Sequence, residues 1–347
     1  MSETVIAAGI DGGATRTRAV LVTGDGTIAG FGSAGPSNYD NIGEKAAGDN
    51  LRAAVESARA QSGPWARKPL SSMFLGMAGV VSPADRETVR GMVLAHRLAP
   101  PESVSVDHDI RIALAGGLEG REGIVLIAGT GSSTYGRRSD GAHHRTGWGF
   151  LLDDRGSGYF LGLQAMIATV MEADGRGSPT SLGHIVRSRF KFSDIDDILR
   201  ILYQDRIPVA QIASLAPDVI RVARSGDAVA AEILSDGARE LARMVATVAA
   251  RLRFPGAKFP VTMTGGLVDQ GGHYRDLIRA EIRRSLPDAE IVAPSLPPVM
   301  GAALLALAAA GIPHSAALLE NLREQVRSLP SEADGRDEAH RPEGGTS

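Results

Sequence analysis

The first forty residues alternate between short apolar runs and turns rich in glycine. Apolar runs of strand length cover residues 4–8 and 18–22, and they flank residues 9–17, which contain one acid, three glycines and two threonines. Residues 27–32 follow an Asp-Gly turn and predict a third strand. Because these strands follow one another through tight turns, we expect antiparallel pairing. A dinucleotide-binding domain would instead pass from its first strand to a helix.

The pattern then changes to helices separated by single strands. Apolar residues at helical spacing predict helices over residues 42–60 and after Ser82. A short apolar strand over residues 71–75 leads into a Gly-Met-Ala-Gly segment, and an alternating strand over residues 103–107 ends in an aspartate.

From residue 123 the N-terminal order begins again. A strand over residues 124–128, a glycine and hydroxyl turn over 129–133 and a strand over 134–136 are followed by another Asp-Gly turn. We interpret this as an internal duplication of architecture with little residue identity. Three helical segments, two strands and a very apolar helix follow, over residues 193–203, 208–224, 227–252, 259–263, 290–292 and 298–310.

The composition fits a globular protein and removes several kinds of chemistry. The 347 residues are 43% hydrophobic and 22% charged with a net charge of −3, so neither nucleic acid nor an anionic membrane is favoured as a partner. The longest apolar run is too short to span a bilayer and the N-terminus has no signal-like segment, so we expect a cytoplasmic protein. The absence of cysteine excludes disulfides, iron–sulfur clusters, thiolate zinc sites and cysteine nucleophiles.

Residues 9–17 contain the residue types that bind phosphate. Glycines let backbone amides approach an anion closely, and the hydroxyls of Thr15 and Thr17 add donors. Asp11, at the end of a strand, is suited to a hydrated Mg2+. Taken alone, the pattern is equally that of an ordinary glycine-rich turn, and the chain has no Gly-Lys-Ser/Thr motif of the P-loop kind.

Phosphoryl transfer also needs a base for the acceptor hydroxyl. Asp107 ends its strand just before the duplication begins, which makes it a candidate base, and the alternative is a cap or turn acid. Asp109, two residues later, precedes a helix and is better explained as its N-cap.

Eight short motifs in this order resemble the N-acetylglucosamine kinases. These kinases lie within the family of BadF/BadG/BcrA/BcrD-type ATPases, in the actin–hexokinase superfamily, and the resemblance covers roughly residues 5–311. The motifs are Asp11-Gly12-Gly13-x-Thr15-x-Thr17, Gly76-Met77-Ala78-Gly79, Asp107, Gly129-Thr130-Gly131-Ser132, Gly147-Trp148-Gly149, Gly156-Ser157-Gly158-Tyr159, Thr264-Gly265-Gly266 and Pro298-x-x-Gly301-Ala302.

The resemblance implies a role for each matching residue. Asp107 is expected to take the proton from the sugar hydroxyl, and Asp11 to position Mg2+. ATP binding is implied for the two phosphate turns and for glycines near the adenosine: Gly12, Gly13, Thr15, Thr17, Gly129, Thr130, Gly131, Ser132, Gly226, Gly265 and Gly266. Sugar binding is implied for Asp107, Asn38, Gly147, Trp148, Gly149 and Asp154. An indole suits a pyranose ring, whereas the alternative for Trp148 is a structural aromatic between two glycines.

The same resemblance implies an α/β fold of two duplicated ribonuclease-H-like domains of the actin/hexokinase type, with an ATP cleft between them. We expect a first domain over residues 1–117, with a C-terminal helix over about 313–328 packing back on it. The second domain is expected over residues 118–312 and a disordered polar tail over 329–347. The implied function is an ATP-dependent kinase acting on a hydroxyl, the 6-OH, of an amino sugar such as N-acetylglucosamine or glucosamine, as a homodimer.

One segment departs from the family pattern. Gly-Asp-Glu-Gly-Ser is usual, and this chain has Asp153, Asp154 and Arg155 before its Gly-Ser. A cation therefore replaces a carboxylate near the expected sugar site. The acceptor stays open among N-acetylglucosamine, glucosamine, an N-acetylmuramic-type sugar and another hexose.

Three alternative functions follow from the same fold. ATPases that activate acyl-CoA dehydratases hold a cluster through cysteines, and repressor-related sugar kinases carry a Cys-rich zinc motif, so the lack of cysteine argues against both. The third is a non-catalytic ATP-binding protein or sugar sensor, which Asp107 and the two phosphate turns make less favoured.

Overall fold

A computed structural model describes residues 5–204, 206–254, 258–269 and 272–327. The chain forms two compact units, and the divisions fall between Asp109 and Ile110 and between Gly301 and Ala302. The first unit therefore combines the N-terminal part of the chain with its C-terminal helix. The predicted domain bounds stay predictions, and the predicted tail lies outside the described residues.

The first unit contains a five-stranded sheet in the order β3-β2-β1-β4-β5. Its antiparallel part pairs β1 with β2 and β2 with β3, as the tight turns predicted, and β4 and β5 then add parallel to β1. The five strands are β1 (Ile6–Gly12), β2 (Thr17–Thr23), β3 (Ile28–Ala34), β4 (Ser72–Met77) and β5 (Val104–His108).

Helices cover this sheet because each has one apolar face. The helices assigned wholly to the first unit are α1 (Tyr39–Ile42), α2 (Glu44–Gln61), α3 (Pro83–Ala95) and α13 (Ala316–Val326). In α2, the buried positions Leu51, Val55 and Ala58 recur at helical spacing and face the sheet. In α13, Gln325 accepts a hydrogen bond from the Ile28 amide (2.8 Å), which ties this helix to the start of β3.

The second unit repeats the first sheet. Its strands are β6 (Gly123–Ala128), β7 (Ser132–Arg137), β8 (His143–Thr146), β9 (Phe259–Thr264) and β10 (Ala289–Val292). Read from the other edge, the order β8-β7-β6-β9-β10 matches β3-β2-β1-β4-β5 strand for strand, with the same antiparallel and parallel pairs. The predicted duplication of architecture is confirmed.

The helical insert lies between β8 and β9 and supplies most of the core of the second unit. The remaining helices are α4 (Asp109–Gly117), α5 (Gly158–Ala173), α6 (Leu182–Phe190), α7 (Asp197–Leu199), α8 (Val209–Ala213), α9 (Ala216–Arg224), α10 (Ala228–Leu252), α11 (His273–Ser285) and α12 (Pro298–Ala309). The two divisions fall inside α4 and α12.

Two predicted helices differ from the structure. The segment 193–203 contains only the short α7 and a π-helical turn, Arg200–Gln204. The segment 208–224 is broken into α8 and α9 at Ser214 and Leu215, because Pro217 occupies the first turn of α9, where a missing amide costs nothing. In the described part of the chain, no helix is long and apolar enough to cross a membrane.

Candidate active site

The first glycine-rich turn joins β1 to β2. The pair Gly12–Thr17 closes the hairpin, and the Gly13 amide donates to the Arg16 carbonyl (2.9 Å) across the turn. The Gly13 carbonyl accepts from the Ser37 amide (3.0 Å). The Gly13 carbonyl and the Ala14 amide belong to one trans peptide unit and point in opposite directions. The Ala14 amide is therefore directed away from Ser37. The turn thus directs the Ala14 amide to the side where an anion could accept from it.

The two threonines of this turn occupy different environments. Thr15 is exposed at the tip. Thr17 is fully buried, and its hydroxyl donates to the Gly35 carbonyl (2.7 Å). Because phosphate oxygens are acceptors, the Thr17 proton in this conformation holds the loop in place and does not point to a phosphate. Phosphate binding by both threonines stays a prediction.

Asp11 and Asp107 lie in one row across the first sheet. Asp11 on β1 pairs with Gly76 on β4, and Gly76 pairs with Asp107 on β5. Registered neighbours in parallel strands present their side chains on the same face, so the two carboxylates share a face and Gly76 adds no side chain between them. The sheet thus places the predicted magnesium ligand and the predicted base two strand spacings apart.

The Asp107 carboxylate is mostly buried and is held by neighbouring donors. Its Oδ1 accepts from Arg86 Nη2 (2.9 Å) and from the His108 backbone amide (2.9 Å). The side chains of Asp107 and Arg86 are 11% and 35% exposed, so this ion pair is shielded from water on the Asp107 side. Asp109 is the first residue of α4, close to its predicted N-cap position.

Arg86 is a residue that the sequence analysis missed. It lies in the first turns of α3, which follows β4, and Asp107 ends the next parallel strand. In such a strand–helix–strand unit, the start of the helix and the carboxyl end of the second strand lie at the same edge of the sheet. An arginine four residues after the N-cap Ser82 was therefore the signal that could have indicated a cation near Asp107.

Asn38 adjoins the Gly-Met-Ala-Gly segment that follows β4. Its side chain caps α1 by accepting from the Asp40 amide (3.1 Å). A Cβ on Gly79 would lie 3.0 Å from Asn38 Oδ1, and Gly79 has a φ of 88°, so glycine is needed for this close approach. The predicted sugar ligand Asn38 therefore lies in the same unit as Asp11 and Asp107.

The second glycine-rich turn joins β6 to β7. The Gly129 amide donates to the Gly131 carbonyl (3.0 Å). The start of α5 binds the turn from behind, because the Gly158 and Tyr159 amides donate to the carbonyls of Gly129 (2.8 Å) and Thr130 (3.0 Å). The amides of the peptide units that carry these carbonyls consequently point away from α5, as in the first turn.

Asp154 lies against this second turn. Its Oδ1 accepts from the Ser132 amide (3.0 Å), and a Cβ on Gly131 would lie 2.7 Å from its Oδ2. Burial raises the pKa of the Asp154 carboxyl above its ordinary value, and the charge of Asp153 adds to this, while the bond from Ser132 lowers the pKa. Arg155, which stands where the family usually has glutamate, is exposed, and its guanidinium lies 5.0 Å from the centre of the Phe160 ring.

The predicted adenosine glycines are split between two places. Gly265, with a φ of 112°, packs on Ala128, and the Leu267 amide donates to the Ala128 carbonyl (3.1 Å), so Gly265 and Gly266 adjoin the second phosphate turn. Gly226 lies in the turn before α10, beside Asp227, which caps that helix.

Trp148 lies on an exposed loop between glycines with positive φ, Gly147 (103°) and Gly149 (79°). Trp148 is 63% exposed, and the Arg145 guanidinium lies 4.9 Å from its ring centre. A Cβ on Gly147 would contact the backbone of Ser132 and Ser133, so this loop, which follows β8, begins beside the end of the second turn.

The sequence profile of the BadF/BadG/BcrA/BcrD ATPase family matches residues 8–306. The chain belongs to this family. Its two mixed five-stranded sheets with helices form the actin/hexokinase-like fold of two duplicated domains. The fold predicted from the sequence is therefore confirmed.

The chain is similar to known proteins over nearly their full lengths. An N-acetylmuramic acid/N-acetylglucosamine kinase of Clostridium acetobutylicum is 30% identical over 299 residues, covering 86% of this chain and 97% of the relative. An N-acetyl-D-glucosamine kinase of Dictyostelium discoideum is 32% identical over 309 residues, with the same coverage of 86% and 97%. A solved structure from Chromobacterium violaceum, provisionally named an N-acetylglucosamine kinase, is 30% identical with a TM-score of 0.66, covering 87% of this chain and 99% of that one.

Proposed function

We propose that the protein is an ATP-dependent amino-sugar kinase. The reaction transfers the γ-phosphoryl group of ATP to a hydroxyl, the 6-OH, of N-acetylglucosamine or a related amino sugar. The observation that carries this proposal is the row Asp11–Gly76–Asp107, which sets two carboxylates on one face of the sheet beside the first glycine-rich turn. The kinases named above, at 30% and 32% identity over 86% of this chain, support the same function.

In this proposal each glycine-rich turn binds phosphate oxygens through backbone amides. In the first turn Gly12 and Gly13 let the Ala14 amide face the phosphates, the Thr15 hydroxyl adds a donor, and Thr17 holds the turn in shape through Gly35. Gly129, Thr130, Gly131 and Ser132 act in the second turn, while Gly265, Gly266 and Gly226 line the adenosine. Amides that are fixed before ATP binds need little reorganisation when charge develops on the phosphates.

The donor set also suits Mg2+. Magnesium prefers oxygen ligands and is usually held by one or two carboxylates together with the phosphates of the substrate. Asp11 supplies such a carboxylate at the end of β1, where its side chain is 21% exposed and Arg18 Nη1 lies 4.0 Å from its Oδ2. When bound, Mg2+ supplies positive charge that offsets the negative charge on the transferring phosphoryl group.

Asp107 acts as the general base. It accepts the proton of the sugar hydroxyl while the hydroxyl oxygen forms a bond to the γ-phosphorus, and the bond from that phosphorus to the β-phosphate oxygen breaks. The products are a sugar phosphate and ADP, and the proton on Asp107 is later released to water.

The sugar is held by residues of both polar and aromatic character. Asn38 and Asp154 offer donors and acceptors to hydroxyl groups, and Trp148 offers its ring face between Gly147 and Gly149. The carboxylate of the usual family pattern is absent at position 155. The Arg155 guanidinium in its place lies 5.0 Å from the centre of the Phe160 ring.

A second candidate function is a non-catalytic ATP-binding sugar sensor or an ATPase that acts as an activator. No particular observation favours it, and the activators that carry a cluster need cysteines that this chain lacks.

The experiment that separates the functions measures ADP release with a panel of sugars: N-acetylglucosamine, glucosamine, N-acetylmuramic acid and glucose. The kinase proposal predicts ADP release that depends on sugar, with an equal amount of sugar phosphate detected by mass spectrometry. ADP release of the same rate without sugar, or none with any sugar, would contradict it.

A homodimer and a cytoplasmic location belong to the same proposal. The homodimer is supported by the family resemblance, and the location by the use of ATP as donor. Light scattering coupled to size-exclusion chromatography tests the first, with a mass of twice 36.2 kDa as the expected result.

A further inference from the structure

We infer that Arg86 is a positioning residue that fixes the orientation of the Asp107 carboxylate for proton transfer. Arg86 acts through Asp107 and is not itself expected to touch ATP or the sugar. This inference rests on the proposed kinase function, because it assigns Asp107 the role of base.

Asp107 is bound by donors from two different elements. Arg86 Nη2 comes from α3 and the His108 amide from β5, and both donate to the same oxygen, Oδ1, at 2.9 Å. One donor alone would allow the carboxylate to rotate about its Cβ–Cγ bond, whereas two donors in different directions fix its plane.

Arg86 can supply a fixed direction because the start of α3 is itself anchored. Ser82 and Asp85 form a reciprocal capping box, and the Val81 and Ser82 amides both donate to Asp85 Oδ2 (2.9 and 2.6 Å). These amide bonds lower the pKa of Asp85 to about 2, so the cap stays ionised near neutral pH. Tyr39, next to Asn38, donates its hydroxyl proton to Asp85 Oδ1 (2.9 Å).

The anchoring links the predicted sugar ligand to the predicted base. Asn38 is followed by Tyr39, which binds Asp85, and Asp85 is followed by Arg86, which binds Asp107. A positioned base is needed because a displacement of about 1 Å in a reacting group can cost about 100-fold in rate.

The same helix offers a matched control. Arg90, one turn after Arg86, has nearly the same side-chain exposure, 34% against 35%, and donates to the Pro101 carbonyl (2.6 Å) instead of to Asp107. Loss of either arginine removes one charge and one hydrogen bond from α3. Only the loss of Arg86 changes what Asp107 contacts.

The test measures kcat and KM for the sugar and for ATP in Arg86→Gln, Arg86→Met, Arg86→Lys and Arg90→Gln, with the thermal midpoint of each. We expect kcat to fall about tenfold or more in Arg86→Gln and Arg86→Met, with both KM values within about threefold of the wild type. Arg86→Lys should recover part of the loss, because it restores a cation near Oδ1 without the fixed fork of arginine. Arg90→Gln should retain wild-type kcat.

A double variant separates positioning from folding. In the Asp107→Asn background, Arg86→Gln should change the residual turnover by less than about twofold, because residues that act as a unit are not additive. A kcat within twofold of the wild type in a folded Arg86→Gln or Arg86→Met variant would overturn the inference, as would equal losses in Arg90→Gln. If the wild type itself produces no sugar phosphate, the proposed function fails, which is a different outcome from a normal Arg86 variant of an active kinase.

Discussion

Asp11 and Asp107 face the same side of one sheet in a single row, and the only residue between them in that row is Gly76. Two strand spacings of about 4.8 Å place their backbones about 10 Å apart. Glycine in the middle contributes no side chain to the space between the two carboxylates. In the proposed mechanism this space lies between the magnesium ligand and the base.

Gly76→Ala should therefore impair catalysis. A methyl group on the shared face enters the space between Asp11 and Asp107, and we expect kcat to fall about tenfold or more. The matched control is Gly91→Ala on α3, where an added Cβ meets nothing within 4 Å. That control should keep its kcat and gain about 0.5–1 kcal/mol in the free energy of unfolding, since alanine is the better helix former. Full activity of Gly76→Ala would show that the row has no role in the reaction.

Thr15 and Thr17 should respond differently to loss of their hydroxyls. Thr17→Val leaves the Gly35 carbonyl without its donor and should lower the free energy of unfolding by about 1–3 kcal/mol. Thr15→Ala, at an exposed position, should change the free energy of unfolding by less than about 0.5 kcal/mol but raise the KM for ATP about tenfold. Denaturant unfolding and steady-state kinetics test the pair. A reversed pattern would place Thr17 and not Thr15 at the phosphates.

Trp148→Ala should raise the KM for the sugar about tenfold, because stacking on an aromatic ring contributes about 1–1.5 kcal/mol. The KM for ATP should stay unchanged. Leu151→Ala is the control, since Leu151 lies in the same loop and is 83% exposed. Equal changes in both KM values for Trp148→Ala would indicate a structural aromatic, which was the alternative from the sequence.

The stability of Asp154→Asn relative to the wild type should depend on pH. Because burial raises the pKa of the Asp154 carboxyl in the folded state, ionising it costs stability as pH rises through that raised value. Below the ordinary value of 3.8 the carboxyl is protonated in both folded and unfolded states and the cost is absent. We expect the thermal midpoint of Asp154→Asn, compared with that of the wild type, to increase from pH 3.5 to pH 7. A difference that is constant over this range would contradict the burial effect.

Much of the fold follows from local patterns. The apolar runs and Asp-Gly turns predict the two antiparallel hairpins, and the repeated order of elements predicts two similar sheets, because strand period and turn chemistry depend on near neighbours in the chain. The break between α8 and α9 at Ser214 and Leu215 was missed, because apolar spacing continues through it.

The candidate site could be predicted only in part. Gly13, Asp11 and Asp107 lie at strand ends, which the pattern marks. The contact of Arg86 with Asp107 joins residues 21 positions apart on different elements, and the inward turn of the Thr17 hydroxyl depends on the loop at Gly35. Such tertiary contacts have no local signature, although the strand–helix–strand order of β4, α3 and β5 indicates the edge at which they form.

In the proposed reaction Asp107 removes the proton from a sugar hydroxyl during transfer of phosphate from ATP. The most direct measurement compares sugar-dependent ADP release by the wild type and by Asp107→Asn, with ATP binding followed by isothermal titration calorimetry. Asparagine keeps the size and an acceptor for Arg86 and His108 but is not a base. We predict a loss of about 100- to 10,000-fold in kcat with the affinity for ATP unchanged within about twofold. Turnover by Asp107→Asn within tenfold of the wild type would show that Asp107 is not the base.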